Sequence, residues 1–238
     1  MESPHPALSL KGARGDKWTL VLASTSPRRY QILALLGLPF LMVPPAYQEE
    51  GARRAVPLPA RPPAEEALHQ ARLKAASLVS RFLDAVILGS DTLINLDGLL
   101  LGKPSSPDDA RAILQRLRGR RHDVVTAVCL LSGRGTARRA PTVFEWVETA
   151  RVTMRDFTNA ELDSYLASGE SMGKAGAYAI QGAGRNLVAG FDGDYLAVVG
   201  LPLRAVAEGL AKLGCPVAVD VDRLYRERAV FNWRTFSP

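Results

Sequence analysis

Apolar runs with the short reach of strands alternate along the chain with stretches spaced like helices, and the alternation predicts an α/β protein. Trp18 to Ala23 is a β-rich apolar run and reads as a buried strand. Ile32, Leu33, Leu35 and Leu36 then fall on one side of a helix that ends near Gly37. Pro39 to Val43 reads as a second strand, Gly51 to Pro63 as an exposed loop or lid, and Ala64 to Phe82 as a helix. Ala85 to Gly89 is another buried strand, ending at Ser90-Asp91-Thr92, and Leu93 to Leu101 a hairpin turning at Asp97-Gly98. Ser106-Pro-Asp-Asp109 opens a helix that runs to about Arg118, with a serine cap, proline at the first position and carboxylates on the dipole. Asp123 to Leu131 and Phe144 to Met154 are strands, and Thr158-Asn-Ala-Glu161 is a capping box for a helix ending near Gly169. Ala175 to Leu201 is dense in glycine and aromatics, as expected of strands and tight turns around a ligand, before Pro202 begins a last helix closed by Gly214.

Composition adds bounds. A chain of 238 residues with 47% hydrophobic and 23% charged side chains can bury a substantial core, in one large domain or two small ones. No apolar run approaches the roughly 20 residues that span a bilayer, so no membrane role is expected. Residues 1–17 carry charge and proline without an apolar centre and read as a disordered or extended lead-in. Residues 18–214 read as the folded domain. Residues 215–238, with Trp233 and two phenylalanines but no clear periodicity, read as an extension that docks on the body or on a partner. Only Cys129 and Cys215 are present, Cys129 in a strand-like run, which fits a buried small residue and a reducing cytoplasm. Thirty basic against twenty-four acidic side chains leave a charge of +6. The arginines are dispersed, with no aromatic-rich basic block, so nucleic acid is not the favoured partner; a small polyphosphate is served equally well.

Ser24-Thr-Ser-Pro-Arg-Arg29 joins the first strand to the first helix, with Ser26 at the N-cap and Pro27 at the first helical position. Such a turn aims unpaired N–H groups and the positive end of a helix dipole at one spot, and Arg28 and Arg29 make that spot a receiver of phosphate or simply a capped helix with two solvated arginines. Asp91 is the leading carboxylate, placed at the carboxyl end of a buried strand where open α/β sheets bind ligands; the alternative is a turn aspartate. Glu49, beyond the second strand, could share a divalent cation with Asp91, or be a solvated loop residue. Lys103, between Gly102 and Pro104, and Lys74 are candidate phosphate contacts or surface lysines. His122 has no evident partner. In Gly173 to Gly182 small residues let a flat ligand approach, and Gln181 offers the donor and acceptor that suit a nucleobase edge. Asp194 reads as a turn residue or an extra cation contact. Zinc spacing, a Gly-x-Ser-x-Gly elbow and a Walker A loop are missing from the sequence.

These segments together resemble the Maf-type nucleoside triphosphate pyrophosphatases over about Thr19 to Gly214. The matching blocks are Leu22-Ala-Ser-Thr-Ser-Pro-Arg-Arg29, Gly89-Ser-Asp-Thr92, Leu101-Gly-Lys-Pro104, Gly119 to Ala127, Lys174 to Gly182, and Gly193-Asp-Tyr195 with Val199-Gly-Leu-Pro202. The resemblance implies a mixed, twisted sheet flanked by helices, in two lobes with a deep cleft, as in the Maf and ITPase-like folds. It implies cleavage of a nucleoside triphosphate to the monophosphate and pyrophosphate with Mg²⁺ or Mn²⁺. By motif position Asp91 corresponds to the aspartate that takes a proton from water, Glu49 and Lys103 to the acid and base beside it, and Ser24, Arg28 and Arg29 to the phosphate loop.

The resemblance also speaks to the base. In the branch acting on dTTP and UTP the loop reads Ser-Pro-Arg-Arg, threonine follows the aspartate, and the late motif carries Ile-Gln-Gly. The branch acting on 7-methyl-GTP has an aromatic after the proline, glutamine after the aspartate, and a late glutamate. Arg28, Thr92 and Gln181 side with the pyrimidine branch. Two positions depart from the family: Gly173 stands where an aspartate usually precedes Lys174, and Gln48 takes a place often acidic, which leaves Glu49 and Glu50 both eligible. The expected partner is the triphosphate, a homodimer is compatible with the family, and the rival reading is a non-catalytic nucleotide-binding regulator of division or cell shape.

Overall fold

The computed structural model describes residues 10–11, 17–47, 56–57, 61–132, 142–215 and 217–227. Among these, nine strands join one mixed sheet. They are β1 (Leu10–Lys11), β2 (Lys17–Ala23), β3 (Phe40–Val43), β4 (Val56–Pro57), β5 (Ala85–Leu96), β6 (Leu99–Leu101), β7 (Arg121–Ser132), β8 (Thr142–Met154) and β9 (Val188–Asp192). The helices are α1 (Pro27–Ala34), α2 (Pro63–Ala76), α3 (Pro107–Leu117), α4 (Asn159–Ala167), α5 (Tyr195–Val199), α6 (Leu203–Lys212) and α7 (Val221–Arg226).

The strands run in the order β1-β2-β5-β7-β8-β9, with β3 on β2 and the pair β4–β6 on β5. β2 pairs parallel with both β3 and β5, while β5–β7, β7–β8 and β8–β9 are antiparallel. One feature of β5 positions everything that follows. Its parallel pairing with β2 ends at Ala23↔Gly89, and its antiparallel pairing with β6 begins at Ile94↔Leu101. Residues 90–93 therefore pair with β7 on one side, while their other edge is left open by both neighbours. Asp91 was expected where a strand ends. It lies instead within a strand of 12 residues, opposite Ala127, and it is the parallel neighbour that ends. The apolar run alone could not show this, because Leu93 to Leu96 continue the same strand before the turn at Asp97 and Gly98, both with positive φ (49° and 86°).

Three apolar cores clasp the sheet. Leu20, Leu22, Val86, Leu88, Val128 and Leu130 face α1, α5 and α6, whereas their alternating neighbours Val21, Ala23, Ile87, Ala127 and Cys129 face α2. A third core gathers Ile94, Leu96, Val124 and Val152 with α3, α4 and Phe157 at the other end of the long strands. The two halves of β5 and β7 thus serve different lobes, and the open edge lies between them.

α2 approaches the sheet very closely. Its buried face holds Ala67, Ala71 and Ala75 with Glu66, Gln70 and Lys74 beside them at i, i+4 spacing. Gly89 makes the contact possible: a Cβ there would lie 2.1 Å from the Ala71 carbonyl oxygen and 2.8 Å from the Ala75 nitrogen. The helix stops at Ala76, short of the expected Phe82, and continues as turns to Arg81. The capping box at Thr158 and the cap at Ser106 stand as expected. The segment from Ala175 to Leu201 holds one strand, β9, and is otherwise 3₁₀ turns and the short α5. The expected last helix, α6, is followed by α7 in the C-terminal extension, where the Tyr225 hydroxyl donates to Asp194 Oδ2 at 2.8 Å. Asp194 itself caps α5 through Leu196 N. Cys129 and Cys215 are both buried free thiols.

Because the nearest obstacles to a Gly89 side chain are backbone atoms, Gly89→Ala must push α2 off β5. A loss of about 2–3 kcal/mol is expected, read as a lower urea midpoint with an unchanged slope; an unaltered midpoint would show that α2 does not bear on β5 at this point.

Candidate active site

The open edge of β5 forms the floor of a cleft of about 840 Å³. Ser24, Arg28, Arg29, Lys74, Asp91, Thr92, Lys103 and Gln181 all line it. Candidates drawn from five separate segments are therefore brought together. Glu49 and Glu50, and most of the expected Gly51–Pro63 lid, lie outside the described residues.

Alternation along β5 sends successive side chains to opposite faces. Asp91 turns toward α2, where Lys74 Nζ meets its Oδ1 at 2.6 Å with both side chains nearly buried. Removing a carboxylate and an ammonium from water is costly unless they compensate each other, and this geometry does so. Lys74, which the sequence offers as a phosphate contact or a surface lysine, is paired in the fold with Asp91.

Thr92 turns to the other face, toward α1 and α5. Arg29 Nη2 donates to Thr92 Oγ1 at 3.2 Å and Nε to the Gly200 carbonyl at 2.9 Å. Thr92 Oγ1 lies 3.0 Å from Thr126 Oγ1, which in turn donates to the Ala197 carbonyl at 2.8 Å. Ser90 Oγ donates to the same Gly200 carbonyl at 3.2 Å. Arg29 is therefore a strut between α1, β5 and the loop after α5 as well as a lining residue. Thr126 escapes a reading of the sequence alone, since its relevance comes from register, Thr92↔Thr126.

The bend before α1 is built as its composition suggests. Ser26 accepts from Arg29 N at 3.5 Å, and the buried Ser24 accepts from Ser26 N at 3.0 Å. The first turn of α1 forms part of the wall, with its dipole favouring an anion there. Burial lowers the Arg28 pKa from its ordinary value. Lys174, on the facing segment, is lowered by burial first and by the Arg28 charge second, against a raising influence of Glu170. Lys174 lines the cleft from within the glycine-rich block, where the sequence alone gives no sign that its ammonium turns inward. Like charges held together in a half-buried wall are the arrangement an incoming anion relieves. Lys103 is exposed at the rim.

Gln181 is 4% exposed, and its Nε2 makes no well-formed hydrogen bond among the described residues. The Tyr195 hydroxyl is the side-chain group set against this amide, and its interaction with Gln181 opposes the larger raising effect of burial on the tyrosine pKa. In the same segment Tyr178 lines the cleft, and its hydroxyl shares a hydrogen bond of 2.7 Å with His122 Nε2. His122 thus has a partner, supplied by a residue far along the chain. Burial of its ring lowers the pKa from 6.5 to about 4, so it is neutral at physiological pH. Among the described residues no helix is long and apolar enough to cross a membrane.

Comparison with known proteins agrees with this arrangement of blocks. Residues 19–213 match the family model described as Maf-like protein. A protein of Moorella thermoacetica named dTTP/UTP pyrophosphatase is 48% identical over 198 residues, covering 83% of this chain and 96% of the relative. A protein of the same name from Dictyoglomus thermophilum is 39% identical, covering 83% of this chain and 97% of its own. A third, from Aquifex aeolicus, is 41% identical, with 77% and 90% covered.

The buried His122 ring has a consequence for acid stability. Above pH 6.5 it is neutral whether the chain is folded or not; between pH 6.5 and about 4 the unfolded chain takes up a proton that the folded ring refuses. Stability should therefore fall as the pH drops through that window, by on the order of 3 kcal/mol from this residue. Urea midpoints of His122→Gln against pH should decline less steeply there, and parallel curves for the two proteins would remove His122 from the account.

Proposed function

We propose that this chain, which belongs to the Maf-like protein family, hydrolyses nucleoside triphosphates, with dTTP and UTP preferred, to the nucleoside monophosphate and pyrophosphate. The observation that supports the reading most is spatial. The arginine-bearing bend after β2 and the carboxylate of β5 line one cleft, with Arg29 bonded at 3.2 Å to the residue next to Asp91. The relatives' names supply the substrate class, and the cleft supplies cationic walls for three phosphates and a buried amide for a base.

In this reading water attacks the α-phosphorus in line. A new P–O bond forms to the water oxygen as the bond from the α-phosphorus to the bridging oxygen breaks, and that oxygen leaves with pyrophosphate. Asp91 orients the water and takes its proton. Lys74 holds the Asp91 carboxylate in place through the 2.6 Å ion pair. Arg28, Lys103 and the first turn of α1, with Ser24 shaping the bend, stabilise charge on the phosphate oxygens, the largest part of such catalysis. Arg29 and Thr92 keep the α1 wall in register with β5. Gln181 reads the base: its N–H₂ suits a pyrimidine carbonyl, while a glutamate in its place would suit N–H donors.

A divalent cation, Mg²⁺ or Mn²⁺, fits this donor set, because Asp91 offers a hard carboxylate in the cleft and such ions complete their shells with substrate phosphates and water. Asp91, with Glu49 as the second acid the family pattern suggests, and the substrate phosphates would hold it. When bound it neutralises phosphate charge. The working place we propose is the cytoplasm, with removal of non-canonical nucleotides as one use, and a homodimer as the assembly.

Asp91→Asn should lower pyrophosphate release from dTTP by roughly a hundredfold or more, with nucleotide affinity nearly retained in calorimetry; full turnover would refute Asp91 as the acceptor. Gln181→Glu should shift the ratio of kcat/KM values for dTTP and UTP against dGTP toward the purine by roughly tenfold, measured on a panel of triphosphates. An unmoved ratio dismisses Gln181 as a reader of the base.

A further inference from the structure

Gln181 can discriminate only if its amide is held still, and its contact with Tyr195 falls short of a well-formed hydrogen bond at Nε2. The backbone must contribute. Immediately after it the chain bends through Gly182, at φ 60°, into a 3₁₀ turn over Gly182–Leu187. A carboxylate sits inside that bend. Glu170 accepts from Ala183 N at 3.1 Å through each of its oxygens, and from Gly184 N at 3.4 Å through Oε2. The bend is wrapped so closely around this group that a Cβ at position 182 would fall 2.7 Å and 2.8 Å from the two carboxylate oxygens.

The main chain at the same position fastens the other end of the segment, whatever side chain stands there. The Glu170 carbonyl accepts from Lys174 Nζ, and Lys174 lines the cleft beside Arg28. Position 173, where an acid would precede Lys174, faces open space: a Cβ there meets nothing within 4 Å, and φ is 72°. The negative charge that organises this stretch therefore comes from Glu170, three residues earlier, in the turn that follows α4.

We infer that Glu170 is the positioning residue for base recognition: by capping the turn after Gln181 with its carboxylate, it fixes the amide that distinguishes a pyrimidine from a purine. The inference rests on the proposed pyrophosphatase activity and on Gln181 as the base reader. Glu170 touches neither the phosphates nor the attacking water in this scheme, so its loss bears on the base and spares the chemistry.

The test compares the wild type with Glu170→Ala, Glu170→Gln, Gln181→Ala and the double variant Glu170→Ala/Gln181→Ala. Pyrophosphate release is measured from dTTP, from dGTP and from methyl triphosphate, which has no base. Glu170→Ala should lower the dTTP-to-dGTP ratio of kcat/KM roughly tenfold, chiefly through a higher KM for dTTP, and leave methyl triphosphate cleavage within about twofold. Glu170→Gln, whose amide oxygen still accepts from the turn, should keep most of the preference. In the Gln181→Ala background the removal of Glu170 should leave the ratio where it was. An unmoved ratio in Glu170→Ala overturns the inference, as does an equal further loss in the double variant or a matching fall on methyl triphosphate. Should Glu170→Ala fail to fold, Glu170→Asp, which withdraws the carboxylate by one methylene, takes its place with the same expected order. A wild type active on dTTP with variants that keep its ratio refutes this inference alone; a wild type that releases pyrophosphate from no triphosphate refutes the activity beneath it, and this inference with it.

Discussion

The site depends on a mismatch in the sheet. β2 ends at Ala23, β6 starts opposite Ile94, and four residues of β5 between them keep an edge that neither strand occupies. Exposed backbone polar groups along a strand invite either water or another chain, and here the gap is walled by α1, α2 and the glycine-rich segment so that it becomes a cleft. Asp91 and Thr92 owe their position to this interruption. A longer β2 would pair with them and close it.

The walls share a sign. Arg28, Arg29, Lys74, Lys103 and Lys174 surround the cleft, whose lining includes a single carboxylate, Asp91, among the described residues. Burial opposes the charge of Arg28 and Lys174. The fold carries that cost through fixed contacts: the Lys74–Asp91 pair, the Arg29 bonds to Gly200 and Thr92, and the Glu170 carbonyl on Lys174. An active site preorganised in this way spends little reorganisation when a polyanion enters. The close seat of α2 on Gly89 belongs to the same economy of motion, because it holds Lys74 over Asp91 with backbone rather than with a flexible side chain.

Much of this was legible in the chain because it is local. Caps, the Asp97-Gly98 turn and the Ser24–Arg29 bend depend on neighbours within four residues, and each stands as read. The blocks that resemble the Maf family brought the cleft residues together for a different reason, through a pattern rather than through geometry. What escaped depends on register and on distant partners. The extension of β5 past Asp91 was hidden because a strand edge that loses its neighbour looks no different in sequence. Thr126 behind Thr92, Tyr178 on His122, and the Tyr225 hydroxyl on Asp194 join positions 31 to 56 residues apart, and no spacing rule reaches that far. The short α7 lacks a buried face of its own, so it left no periodic trace.

Strand geometry also divides the labour. Side chains at 91 and 92 must point to opposite faces, so the carboxylate meets α2 while the threonine meets α1 and the loop at Gly200. The base-reading amide comes from neither, but from a segment fastened to the turn after α4. Changes in the segment at 170–184 can therefore alter which base is accepted without displacing the Lys74–Asp91 pair, whose supports lie in β5 and α2. A fold that separates chemistry from recognition in this way can keep one hydrolytic centre while its nucleotide preference drifts, and the drift would be written in the residues around Gln181 rather than in those around Asp91.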